Sequence, residues 1–186
     1  MTRLMILAAV LSSITNGQDV PPPPKPQDNG PNLADTMRFI EEKLGSSGRV
    51  KYIVYSNDNT DGSDWTTKFS DEATNVQANV ASCRIDFHWR ARRDYKMLHD
   101  SDYGVLLNAV QEVVVKTRDQ ELKELSSKAG HPEYTAGVDP PVFVLSMKLN
   151  VDVNIFYLYD ESLANRIAQA LVHGVERCGG GSKDPF

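Results

Sequence analysis

The stretch "VFVLSMKLNVDVNIFYLYDESLANRIAQAL", Val142 to Leu171, decides how this chain is read. Its first two runs are rich in β-branched and aromatic residues, and Asn150-Val151-Asp152 between them supplies turn chemistry. Together they predict an antiparallel hairpin. At Asp160 the period changes. Asp160 suits an N-cap and Glu161 the first turn of a helix. Beyond it Leu163, Ala164, Ile167, Ala168, Leu171, Val175 and Cys178 recur every three or four residues, the stripe of an amphipathic helix. Gly174 interrupts that stripe, either at about 1 kcal/mol relative to alanine or to permit a close approach. Gly179 ends it, and residues 180–186 are expected to form a disordered tail.

Upstream, "RVKYIVYSN" from Arg49, "DWTTKFS" from Asp64, "TNVQANV" from Thr74, "RIDFHWRAR" from Arg84 and a run from Val110 to Thr117 all read as strands. Trp65, Thr67 and Phe69 share one side of the second run; Thr74, Val76, Ala78 and Val80 share one side of the third. From Arg118 to Gly137 only Leu122 and Leu125 form an apolar face, which predicts mainly loop. In front, "NLADTMRFIEEKLG" predicts a helix capped by Asn32, with Leu33, Met37, Ile40 and Leu44 on one face and a stop at Gly45. Successive strands at hairpin spacing imply antiparallel pairing. The expectation is a bent antiparallel barrel of about seven strands closed by the C-terminal helix, with a short N-terminal helix. The alternative is an open antiparallel α+β sheet with both helices on one face. The pattern from Arg49 to Gly179, and the opening stretch above all, resembles the pleckstrin-homology-like superfold. "CRIDFHW" from Cys83, "DPPVFVL" from Asp139 and "RCGGGSKDPF" from Arg177 resemble a set of small exported bacterial proteins of unknown function, a likeness that implies no activity.

The first residues read as an address. Arg3 precedes the apolar run "LMILAAVLSSI", which is too short to span a bilayer core of about 30 Å, and small Thr15 and Gly17 follow. This predicts a signal peptide over residues 1–17, and hence a periplasmic or extracellular protein; an uncleaved anchor or a buried helix is the alternative. Residues 18–31, with four consecutive prolines, predict an extended linker. A single globular domain is expected over residues 32–179. Cys83 and Cys178, an even pair in an exported chain, predict a disulfide, with two buried free thiols as the alternative.

The chain has 186 residues and a formal net charge of -5, which argues against general nucleic-acid binding but leaves room for a local basic patch. "CRIDFHWRARRDYK", Cys83 to Lys96, holds such a patch. A period of two points Ile85, Phe87, Trp89 and Ala91 inward and Asp86, His88, Arg90 and Arg92 outward. A charged wet face is the ordinary state of a half-buried strand. The functional candidate is a site for an anion or partner at Arg90, Arg92, Arg93 and Lys96, since guanidinium forks suit anions. Some pleckstrin-homology-like domains bind phosphoinositides through basic residues on early strands. This chain departs from them in its expected export and in its acidic first loop, "NDNTDGSD".

That loop also sets Asn57, Asn59 and Asp61 before Gly62 at calcium-loop spacing, but Lys68 stands where a bidentate glutamate is needed, and hairpin turn chemistry explains the same residues. Calcium is the one cofactor candidate. Of the four histidines none pairs at protease or metal-ligand spacing, and His99 with Asp100 and Asp102 is a candidate surface site. No nucleophile elbow or phosphate loop is present in the sequence. The functional expectation is an exported non-enzymatic binding module for a protein, peptide or anionic envelope component, docking through an open edge or loops. The alternative is a hydrolase or metal-dependent enzyme whose site shows no local motif.

Overall fold

The computed structural model describes residues 30–58, 62–130, 134–150 and 153–181. The expected signal peptide, the linker up to residue 29 and the end of the tail lie outside the described residues.

Helix α1 (Leu33–Ser47) is followed by four strands, β1 (Arg49–Asp58), β2 (Ser63–Asn79), β3 (Arg84–Arg93) and β4 (Lys96–Leu106). A 3-10 turn at Leu107–Ala109 leads to β5 (Glu112–Thr117), α2 (Arg118–Lys128), β6 (Tyr134–Asp139), β7 (Phe143–Lys148), β8 (Val153–Leu158) and α3 (Glu161–Arg177). The strands form two open antiparallel sheets. One has five strands in the order β4-β3-β2-β1-β6, the other three in the order β5-β7-β8. The closed seven-stranded barrel, and with it the pleckstrin-homology-like pattern, is therefore overturned. The open alternative also assumed one sheet where there are two.

The reason lies in the segment expected to be loop. Thr117 accepts from the Gln120 backbone N–H while the Gln120 side chain accepts from the Thr117 N–H, a capping box that starts α2 despite its thin apolar face. The chain then enters β6, which pairs with β1 from Ile53 to Asp58. With β2 on one side and β6 on the other, that half of β1 offers no edge on which the last hairpin could close a barrel. Pro140 and Pro141, lacking N–H donors, end β6 and send the chain back to the second sheet.

The two runs taken as separate strands at Asp64 and Thr74 are one long strand. A bulge between Thr74 and Gln77, with Asn75 in the left-handed region at φ 53°, inserts the residue that flips the alternation. Inward residues are odd-numbered before it (Asp71, Ala73) and even-numbered after it (Val76). The strand β4, almost wholly exposed, carries too little apolar alternation to be seen in sequence.

The last hairpin forms as its residues predict, from Phe143↔Leu158 to Lys148↔Val153. Its strands are covered on both faces. Leu145, Met147, Phe156 and Leu158 enter the main core with α1, α3, Ile85 and Phe87; Val144 and Tyr157 enter a second core with Val50, Tyr52 and Val54. That double cover is why the hairpin reads as near-continuous apolar runs. Helix α3 begins at Asp160, whose carboxylate accepts from Leu163 N–H, and buries Ala164, Ile167, Leu171 and Val175. Helix α1 starts at Asn32 as expected but runs through Gly45 to Ser47. A Cβ on Gly174 would stand 3.2 Å from the Leu107 side chain, so the close approach there is to a side chain of the 3-10 turn. At Gly180 a Cβ would stand 2.4 Å from the Leu107 carbonyl oxygen, a clash with backbone. The Gly180 N–H bonds Val175 O and the Gly181 N–H bonds Val110 O, tying the start of the expected tail to the fold. The disulfide Cys83–Cys178 joins the β2–β3 loop to the end of α3 across 95 residues of sequence.

One contact replaces a missing strand. Beyond the end of β6, the Tyr159 hydroxyl accepts from Lys51 N–H (2.6 Å) and donates to Lys51 O (2.8 Å), as a neighbouring strand would. Tyr159→Phe is expected to lower the unfolding free energy by about 1 kcal/mol, measured by urea titration; an unchanged midpoint would show that water replaces the phenol without loss.

Candidate functional site

The outer face of the five-stranded sheet is polar and its side chains are arranged by register. Ser70 on β2 pairs with Lys51 on β1 and with Arg92 on β3, so these two cations flank it at about 4.8 Å strand spacing. Lys68 and Glu72 lie two residues before and after Ser70 on the same face. Three cations therefore surround one serine. Among the described residues no ion pair engages Lys51, Lys68 or Arg92, whereas Arg84, Arg90, Lys116, Arg118 and Lys148 each have a carboxylate partner. The cleft over Ser70 has a volume of about 530 Å³, and Ile53, Asp139, Pro140 and Tyr95 line its remaining sides.

Tyr95 reaches the cleft from the β3–β4 turn. Asp94 (φ 45°) and Tyr95 (φ 68°) are both left-handed, the conformation a two-residue hairpin turn requires. Asp94 fits that role: its N–H bonds Lys68 O and its carboxylate accepts from Lys68 N–H, both at 2.9 Å. Tyrosine does not, and a bulky residue there costs about 1–2 kcal/mol. Tyr95 is 87% exposed, with Lys68 Nζ 5.9 Å from its ring centroid.

The four basic residues singled out in sequence do not act together. Only Arg92 lines the cleft. Arg90 is drawn between Glu72 (4.0 Å) and Asp100 (3.5 Å). Arg93 and Lys96 face each other across the turn, with Arg93 on the opposite face from Arg92. Lys51 and Lys68 were missed because they lie on two other strands; the alternation of "RVKYIVY" and "DWTTKFS" places each on the wet side but says nothing of their adjacency. Of the calcium candidates, Asn59 and Asp61 lie outside the described residues, and the Asn57 side chain donates to Asp64 Oδ1 across the hairpin (2.6 Å). Among the described residues no cluster of three or more His, Cys, Asp or Glu is placed to hold a metal ion.

His99 does not join Asp100 and Asp102, because adjacent strand residues point to opposite faces. It stacks on Trp89 with ring centroids 4.8 Å apart. The histidine that meets those carboxylates is His88 on β3, with Nε2 2.7 Å from Asp100 Oδ1 and Nδ1 2.9 Å from Asp102 Oδ1. Only the imidazolium can donate at both nitrogens. Hydrogen bonds to Asp102 and Asp100 accordingly raise the His88 pKa, and the bond to His88 lowers that of Asp100. The stability the clamp adds is present between the carboxylate and imidazole ranges: it is lost as pH rises through the raised His88 value, and lost again as pH falls through the lowered Asp100 value. In a proton NMR titration His88 is expected to titrate above the free imidazole value and to fall back toward it in Asp102→Asn. A titration unmoved by that change would show the clamp to be absent in solution.

Behind the sheet lies a second charged group. Arg118, the first residue of α2, sits against the rings of Tyr157 (5.4 Å), Tyr52 and Phe69 (5.9 Å each) and pairs with Glu121. Beside it Asp71 is only 6% exposed. Burial raises the Asp71 carboxyl to about 6, against the lowering effect of Tyr52, Arg118 and Trp89. Tyr52 lies close enough to Asp71 to be felt electrostatically, yet its hydroxyl makes no hydrogen bond of good geometry. The rings cover this group, which makes it a core element and not an accessible site. Because the folded value exceeds the ordinary 3.8, the folded protein holds the extra proton; this contribution is full below pH 4 and is lost as pH rises through 6. The loss is of order 3 kcal/mol at about 1.4 kcal/mol per unit. Asp71→Asn is expected to gain stability over the wild type at pH 7 and none at pH 4, read as urea midpoints at the two pH values.

No family model, no curated protein and no solved structure matches this chain. Among the described residues no helix is long and apolar enough to cross a membrane.

Proposed function

We propose that this chain is an exported, non-enzymatic binding module, and that it holds an anionic group over Ser70 on the outer face of the five-stranded sheet. One observation carries this reading: Lys51, Lys68 and Arg92 converge on Ser70 from three strand positions without a carboxylate partner among the described residues. Like charges gathered on one face repel each other, and a bound anion removes that cost while gaining charge-assisted hydrogen bonds. Arg92 supplies a planar fork, the lysines mobile ammonium groups and Ser70 a hydroxyl donor. The signal-like first residues fit a partner met outside the cytoplasm.

An NMR titration with inorganic sulfate at low salt is expected to shift the Ser70 amide and its neighbours, and to fade as added chloride screens the site. The Lys51→Gln, Lys68→Gln, Arg92→Gln triple variant is expected to weaken binding at least tenfold, while Arg93→Gln with Lys96→Gln leaves it within twofold. Equal binding by the triple variant and the wild type would overturn the proposal.

A further inference from the structure

Resting on the anion-binding reading, we propose that the natural ligand is an acidic sugar, a saccharide unit bearing one carboxylate and free hydroxyls. Three features of the cleft select it. A volume of about 530 Å³ exceeds what an inorganic anion fills, so the charged group carries a body with it. Two carboxylates, Asp139 and Glu72, the latter in only a long contact with Arg90 (4.0 Å), line the cleft beside the three cations, so that the lining groups leave it a single net positive charge. That balance matches a monoanion and works against a phosphate monoester, which brings nearly two charges. The same carboxylates are acceptors only, so they call for donors on the ligand, which hydroxyls supply. Asp139, opposite Ile53 on β6, and Glu72, beyond Ser70 on β2, stand on different sides of the anion seat, so donors are needed on both sides of the charged group.

The third feature is Tyr95. A tyrosine held left-handed at a turn tip, its ring in solvent, does nothing for the core. Strain of this kind gathers where it serves binding. The ring offers a flat, partly apolar wall with a polar tip, suited to lie against the C–H face of a sugar. Pro140 and Ile53 continue that apolar lining.

The test is calorimetric titration of the full chain with four probes: an unsulfated hexasaccharide with a single uronic-acid unit, the same hexasaccharide with that carboxylate reduced to an alcohol, inorganic sulfate and a nucleoside monophosphate. The uronic hexasaccharide is expected to bind at least tenfold tighter than each of the other three. Tyr95→Gly should weaken that binding at least tenfold while raising the urea midpoint, since glycine relieves the left-handed strain. Glu72→Gln and Asp139→Asn should weaken it while leaving sulfate binding equal or stronger. Sulfate or the nucleotide binding as tightly as the uronic hexasaccharide, through Lys51, Lys68 and Arg92, would sink the sugar assignment and leave the anion site standing. Failure of every probe would remove both.

Discussion

The structure depends on the burial of the α3 stripe. Ala164, Ile167, Leu171 and Val175 are covered by α1, by the 3-10 turn at Leu107 and by β7 and β8, in one core that also takes in Ile85 and Phe87 of the five-stranded sheet. Helix α3 packs on the three-stranded sheet, and α1, packed against α3, covers β2 of the five-stranded sheet. Phe87 and Phe156, 4.7 Å apart between centroids, carry that core from one sheet to the other. The disulfide pins the far end of α3 to the β2–β3 loop, at the rim of the same core. Neither sheet needs to close on itself, because its apolar face is already covered.

The two faces of the five-stranded sheet meet opposite electrostatic demands. Inside, the Arg118 guanidinium is wrapped by three rings and a glutamate, and the buried Asp71 carboxyl beside it shifts toward neutrality. Outside, solvent tolerates charge, and register sorts it. Around β3 and β4 cations meet anions in a continuous row, Glu72 to Arg90 to Asp100 to His88 to Asp102. Around Ser70, among the described residues, Lys51, Lys68 and Arg92 make no ion pair, although Glu72 and Asp139 line the same cleft. Exposed pairs of this sort add little to stability. Their importance is that they consume Arg90 and leave Arg92 available. The carboxylates of β4 also mark an edge strand, where charge discourages pairing with another chain.

Much of the local structure was legible. Asn32 and Asp160 announce their helices because capping is a contact within four residues. The hairpin after Val142 was visible because both strands are buried on both faces. Where local signals conflicted, sequence misled. The flip between Phe69 and Val76 looked like a break between strands, since only a partner strand reveals a bulge. Helix α2 rests on a capping box, a weaker mark than an apolar stripe. The inward and outward sides of β3 followed from the period of two, yet the basic cluster joined Arg90 and Arg92 to Arg93 and Lys96, which the same alternation and the pairing across the turn put on the other face.

Sequence by itself determined α1, α3 and the last hairpin, the wet side of β1 and of β3, and that two cysteines were present to be joined. These follow from contacts between near neighbours, where chain geometry leaves few choices. Tertiary structure alone decided that β6 takes the open side of β1, that the strands divide into two sheets, and that Lys51, Lys68 and Arg92 share one serine. Each of those is a pairing across tens of residues, chosen by which apolar faces can be covered together, and no local pattern encodes the partner.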